Sequence, residues 1–185
     1  MVASRHTGVD NAVEWLNAVM EKAPSHCRFH WADVGKISMC SVPTDDEARP
    51  KWPLSSMAAP AAEDEPFDFH LVDGRFRVAS IAACMLHALM RGKRDALFAI
   101  HDYGYEDPCG RCAGPAAKKT ISCAPGRHLR DFYNRVEELG TIVRGVGVDD
   151  CAQLAVLKMK PGLTAADCIT VWRDFQCDNR QIVRR

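Results

Sequence analysis

Apolar positions recur along this chain in two periods. Between Asn11 and Glu21, Val13, Leu16 and Met20 fall at helical spacing, with Trp15 and Val19 beside them, which predicts a helix. Asn11 stands where an N-cap belongs and Glu14 where a capping box would reach back. Cys27 to Val34 reads as a strand running into Asp33-Val34-Gly35. Phe67 to Val72 reads as a short apolar strand ending in Asp73-Gly74-Arg75, and Val78 to Met90 as a helix apolar on most faces, stopped by Gly92. Ala96 to Ile100 predicts another strand, followed by His101-Asp102-Tyr103. Leu129, Phe132, Tyr133, Val136 and Leu139 mark an amphipathic helix stopped by Gly140. Thr141 to Val148 and Gln153 to Met159 predict a hairpin around Asp149-Asp150. A last helix begins near Thr164, with Asp167 in the capping-box position and Ile169, Trp172 and Phe175 along it. The tail from Asp178 is polar.

Strands that alternate with helices, and are apolar without alternation, predict an α/β fold. The expectation is a mostly parallel sheet with helices on both faces, closed by a C-terminal antiparallel hairpin. The chain then forms a single domain over 1–185. Two stretches stand outside the pattern. Residues 40–66 hold Pro43, Pro50, Pro53, Pro60 and Pro66 and read as one long loop rather than an element. Residues 104–126, rich in Gly, Pro, Cys and Lys, read as an inserted loop. No internal repeat is visible.

Composition narrows the function classes. The 185 residues are 47% hydrophobic and 26% charged, the balance of a soluble globular chain, and 24 basic residues match 24 acidic ones. A formal net charge of zero gives no general attraction to nucleic acid or to an anionic membrane. The longest apolar stretch, Val78 to Met90, is interrupted by His87 and falls short of the roughly 20 residues that span a bilayer. The N-terminus, Met1-Val2-Ala3-Ser4-Arg5-His6, has no hydrophobic signal core. The expected location is the cytoplasm, or an organelle if a targeting segment has been removed.

Candidate chemistry gathers at strand ends. In an open parallel sheet, ligands bind outside the carboxyl ends of the strands. Asp33, Asp73 and Asp102 each follow such a strand, and Asp10 joins them if Thr7 to Val9 is a strand. Each aspartate alone is better read as a turn or helix-cap residue. Together on one edge they point to a site.

The segment Asp68-Phe-His-Leu-Val-Asp73-Gly74-Arg75-Phe76-Arg77-Val78-Ala79 is followed by Phe98-Ala-Ile-His101-Asp102-Tyr103 and then by Tyr133-Asn-Arg-Val136-Glu137-Glu138. This series resembles a family of class I S-adenosylmethionine-dependent methyltransferase-like proteins. Glu14-Trp15-Leu16, Phe29 to Gly35, Trp52-Pro53, Leu154 to Leu157 and the Trp172 to Arg180 helix are similar as well, so the likeness runs along nearly the whole chain. It implies that Asp10 binds the cofactor ribose and that Asp33 approaches the adenine amino group. It also implies that Asp73, Arg75, Arg77, His101, Asp102 and Tyr103 face the methyl acceptor. Carboxylates accept hydrogen bonds from hydroxyl and amino groups, and arginines fork onto anions. An imidazole can take a proton from a hydroxyl or amine near neutral pH. Asp73 and Asp102 also match where catechol-type methyltransferases hold a divalent metal, though a third ligand is not evident. The implied activity is methyl transfer from S-adenosylmethionine to a small polar or anionic acceptor.

One departure stands out. A class I domain opens with a strand, a glycine-rich turn and a helix, and here Gly8 is the only glycine ahead of the first helix. The chain is incomplete, or a partner protein fills the missing-strand position, or the flanking strands pair directly. The alternative function is accordingly a non-catalytic methyltransferase-fold scaffold, or a subunit of a larger assembly that has lost cofactor binding.

The sequence has nine cysteines, an odd number, of which Cys109, Cys112 and Cys123 cluster, with His128 close behind. These are zinc-ligand types with one CxxC step, so a zinc site on Cys109, Cys112, Cys123 and His128 is a candidate. A disulfide or free thiols fit the same spacing. A small zinc-dependent interaction module is a third functional reading.

Overall fold

The computed structural model describes residues 5–38, 41–101, 135–147 and 153–177. Strand β1 (His6–Asp10), helix α1 (Val13–Met20) and strand β2 (Cys27–Trp31) form a βαβ unit. β1 and β2 pair in parallel from His6 opposite Cys27 to Asp10 opposite Trp31. The first helix begins without the cap expected of Asn11. Asp10 Oδ1 instead accepts from the Ala12 amide at 2.8 Å, and Ala12 occupies the N-cap position without a side-chain bond.

After β2 come a two-residue antiparallel pair, β3 (Ile37–Ser38) with β4 (Val42–Pro43), a 3₁₀ helix (Asp46–Lys51) and helix α2 (Leu54–Ala62). The reading of 40–66 as one long loop is therefore corrected. Pro53 stands at the N-cap of α2, where no main-chain donor is required, whereas Pro50 and Pro60 lie inside the 3₁₀ helix and α2 and each forgoes a main-chain donor there. Trp52, between the two helices, is buried and anchors them.

The second half of the chain forms a four-stranded sheet. β5 (Phe69–Val72), α3 (Arg77–Met90) and β6 (Leu97–His101) make a second parallel βαβ unit. Residues 135–139 are the described end of α4, which leads into β7 (Gly140–Gly147) and β8 (Gln153–Met159). Helix α5 (Ala165–Phe175) closes the chain. The strand order is β5-β6-β8-β7, with β8 antiparallel to both neighbours, so the C-terminal hairpin is present. Among the described residues, parallel pairing is confined to β1 with β2 and β5 with β6. The described strands do not form the single sheet that the sequence suggested, because β1-β2 and β5-β6-β8-β7 are separate ladders.

The main core lies between this sheet and helices α3 and α5. Ile81, Ala82, Met85 and Ala88 of α3 meet Phe98 and Ile100 of β6, Leu157 of β8, Val136 and Leu139 of α4, and Cys168 and Val171 of α5. Burying one such large side chain contributes about 1.5–3 kcal/mol, which is why α3 is apolar on so much of its surface. The helix stops in a Schellman turn: Gly92 at φ +72° donates to the Leu89 carbonyl and Lys93 to that of Ala88. Helix α5 begins as its sequence predicts, with a complete Thr164–Asp167 capping box. On β5, His70 and Val72 face this core while Phe69 and Leu71 are exposed, so among the described residues only one face of β5 is covered. No helix among the described residues is long and apolar enough to cross a membrane.

Candidate functional site

The turns that leave β2 and β5 pack on each other. Val34, one residue past Asp33, shares a buried cluster with Trp52, Phe76 and Ala79, and Ile37, Trp172 and Phe175 pack against it. The Trp52 and Phe76 rings lie 5.7 Å apart. This apolar plug fixes the Asp33 turn beside the Asp73 turn. Both acids therefore stand on one side of the molecule, at the carboxyl ends of their strands.

Asp73 follows β5 and His101 ends β6. The parallel register sets Val72 opposite Ile100, so the two polar residues project from neighbouring strand ends. His101 Nδ1 lies 3.0 Å from Asp73 Oδ1. Arg77, the first residue of α3, brings Nη2 to 3.5 Å from the same oxygen. A carboxylate that accepts from Nδ1–H fixes the imidazole tautomer and leaves Nε2 as the basic nitrogen.

The turn that carries Asp73 is tightly built. Phe76 caps α3 at φ 57° and ψ 33°, in the left-handed region that non-glycine residues rarely adopt, while its ring is buried in the plug. Such strain persists only where packing over-determines it, and it clusters at functional turns. Arg75 and Arg77 are buried on either side of Phe76. Arg77 engages Asp73.

Asp33 is held from two sides. Its Oδ1 accepts from the Gly35 amide at 3.0 Å and its Oδ2 from Lys51 Nζ at 2.8 Å. The Lys51 hydrogen bond, and then that of Gly35, holds this carboxyl below its ordinary range. Lys51 was not legible in the sequence, because it belongs to a 3₁₀ helix within the segment read as a loop. Asp10 ends β1 beside the end of β2, its exposed carboxylate engaged through Oδ1 with the Ala12 amide. Gly8, in mid-strand, is pressed against Phe29: a Cβ there would stand 2.9 Å from the ring. It serves packing within β1-β2.

Asp102, Tyr103, and the zinc candidates Cys109, Cys112, Cys123 and His128 lie outside the described residues. Among the described residues no group of three or more His, Cys, Asp or Glu side chains is arranged to hold a metal ion. Cys84 and Cys168 are packed in or against the main core, and burial pushes their thiols up to about 12 and about 11. They are small core side chains rather than nucleophiles.

No protein-family model matches the chain, and neither does any curated protein. Among solved structures, a methyltransferase-like protein from Silicibacter pomeroyi DSS-3 is similar, with a TM-score of 0.61 and 19% identity over 93% of this chain and 76% of that one. The pyocyanin biosynthetic protein PhzM is more distant, with a TM-score of 0.36 and 16% identity over 86% of this chain and 52% of that one. The first of these likenesses shows that the chain has a methyltransferase-like α/β fold.

Proposed function

We propose that this chain is a methyltransferase-like protein that acts on a small polar or anionic acceptor, with S-adenosylmethionine as methyl donor. The observation that carries the reading is the Asp73–His101 contact of 3.0 Å at the carboxyl ends of adjacent parallel strands. That edge is where ligands bind in open α/β sheets.

The strand-end acids suit the donor's polar half. Asp10 is exposed at the end of β1 and offers its second oxygen to a ribose hydroxyl. Asp33 offers an acceptor for an amino group, and Lys51, which now occupies it, forms only a solvent-exposed ion pair. Such pairs are weak and readily displaced. S-adenosylmethionine, when bound, supplies an electrophilic methyl carbon. The chain's own contribution is proton handling and orientation. His101 Nε2 would take the acceptor's hydroxyl or amine proton as the acceptor oxygen or nitrogen bonds to the methyl carbon and the carbon–sulfur bond breaks, its electron pair staying on sulfur as the neutral thioether of the demethylated product. Asp73 holds the ring in the required tautomer and stabilises the imidazolium that forms. Arg77 keeps the Asp73 carboxylate in place.

A specific feature favours a second reading, the non-catalytic scaffold or subunit. β1 and β5 each leave one edge unpaired among the described residues, and Phe69 and Leu71 are exposed beside the β5 edge. A partner strand would satisfy both edges. Thermal melting with and without S-adenosylmethionine, or its demethylated product, separates the two. A ligand at about 100 times its Kd adds about 2.7 kcal/mol, or roughly 5–10 °C for a chain of this length. An unchanged melting temperature at millimolar ligand would refute donor binding and leave the scaffold.

A further inference from the structure

Away from the strand-end acids, the main-chain carbonyls of the segment between α2 and β5 accept side-chain hydrogen bonds from two distant parts of the chain, the residue before β1 and the end of α3. Arg5 Nη2 donates to the Glu65 and Pro66 carbonyls at 2.9 and 3.1 Å. Arg91 donates from Nη2 to the Glu63 carbonyl and from Nε to that of Asp64, both at 2.6 Å. His87 Nε2 lies 3.0 Å from the same Glu63 carbonyl. The Glu63 carboxylate reaches back to β1 and β2, at 2.5 Å from Thr7 Oγ1, 3.5 Å from Arg5 and 3.9 Å from Arg28. Residues 63–67 are thus a strap that joins the β1-β2 unit to α3.

Two histidines lie beneath that strap. His70 of β5 is stacked on Phe98, with ring centroids 4.9 Å apart, and meets His87 of α3 edge-on at 6.1 Å. Phe67 covers both rings, at 5.6 Å from His70 and 5.7 Å from His87, and the Arg5 guanidinium lies over Phe67. Both histidines are buried, and each keeps one ring nitrogen, His70 Nε2 and His87 Nδ1, with no hydrogen-bond partner among the described residues. A carbonyl only accepts, so His87 Nε2 carries the hydrogen and Nδ1 holds a bare lone pair.

We propose that the His70–His87 pair is an acid-operated latch, whose protonation opens the 63–67 strap and loosens β1 from α3 while the β7-β8 hairpin stays closed. A proton on either orphaned nitrogen has no acceptor within the pocket and stays out of water, an unfavourable burial of charge. The charged groups that face the pair add to the difficulty. Arg5 comes from the segment before β1 and Arg91 from the end of α3. Glu63, the acid that acts on His87, is already shared among Thr7, Arg5 and Arg28. Asp68, at the foot of β5, is held by Lys93 at 2.9 Å. Burial, and then the neighbouring His87, lowers His70 to about 4. Burial also lowers His87, against the pull of the Glu63 carbonyl, and Arg91 and Arg5 lower it further. An opened strap hydrates both rings and lets them titrate normally. Between about pH 6.5 and about 4, the open form therefore binds a proton at His70 that the closed form refuses. The opening equilibrium then grows roughly tenfold per pH unit lost.

Amide hydrogen exchange at pH 7.0, 6.0 and 5.0, corrected for intrinsic rates, tests this. Protection in residues 63–72 and in β1 is expected to fall roughly tenfold between pH 6.0 and 5.0, while Gln153–Met159 holds its protection. His70→Phe keeps a flat ring on Phe98 and cannot take a proton, so its protection is expected not to respond. His87→Gln keeps a donor for the Glu63 carbonyl and should reduce the response. Equal protection at all three pH values, a parallel loss in β8, or an unchanged response in His70→Phe would overturn the latch. Should His70→Phe fail to fold, NMR titration of the wild-type histidines decides. A His70 ring that titrates in the ordinary range refutes the proposal, and one that titrates near 4 supports it.

Discussion

Gly35 ties the Asp33 turn to the helical segment behind it, and replacing it with alanine should unfasten both. Its φ of +79° is one that an L-residue rarely adopts, and a Cβ at this position would stand 2.4 Å from the Ala48 Cβ and 3.0 Å from Asp45 Oδ2. The backbone penalty for a left-handed L-residue is about 1–2 kcal/mol. Carbon atoms pack best at about 3.5–4.0 Å, so the contact with Ala48 is more than an ångström too short. Relieving an overpacked contact of that kind costs about 1–3 kcal/mol. The sum is about 2–5 kcal/mol, against which the entropic gain of removing a glycine, about 0.4–1 kcal/mol, is small. The loss is a large part of a typical native stability of about 5–15 kcal/mol. Urea melts of Gly35→Ala, Ala48→Gly and the double variant separate the two contributions. Ala48→Gly removes the closest atom but not the φ penalty, so the double variant should recover about 1–3 kcal/mol relative to the sum of the singles. Strict additivity, or a loss below about 1 kcal/mol in Gly35→Ala, would show that Ala48 does not sit against this turn.

Four further outcomes are expected. Thr164→Ala removes the side-chain acceptor of the α5 capping box and should lower stability by about 1 kcal/mol, read from urea midpoints. Leu157→Ala empties a fully buried position of β8 and should cost about 2–5 kcal/mol by the same measurement. Cys84 and Cys168, with thiols raised to about 12 and about 11, should resist alkylation at pH 8.5 in the folded protein and react once it is unfolded, as mass mapping would show. Asp73→Asn leaves the shape of the site and loses the tautomer-fixing charge. If methyl transfer occurs, its rate should drop roughly 100-fold or more with little change in melting temperature, and an unaltered rate would remove His101 from the chemistry.

Much of the architecture was legible because local signals agreed with one another. Thr164 and Asp167 announced α5 at the right residue, Gly92 stopped α3, and β8 begins and ends as its apolar pattern indicated. The nearness of Asp73 and His101 was legible because both follow strands, and parallel neighbours bring such residues together. Residues 40–66 misled because five prolines look like loop composition, whereas Pro53 suits a helix start and the short helices carry Pro50 and Pro60 inside them. Lys51 was hidden for that reason, since its bond to Asp33 depends on a 3₁₀ turn that the proline count concealed. Asn11 fits a cap by type, yet the Asp10 carboxylate reaches the Ala12 amide first. The division of the strands into two ladders leaves no trace in periodicity, because hydrophobic pattern reports burial and not which strand lies alongside.

Phe76 makes the Asp73 turn hard to revise. Glycine would ease its φ of 57° but strip the ring from between Val34, Trp52 and Ala79, and any other side chain would keep the backbone penalty while filling the space less well. Neither half of the problem can be solved without worsening the other. A chain in this position varies most cheaply outside this turn, with the Asp73–His101 contact carried along unchanged as a by-product of keeping the interior filled.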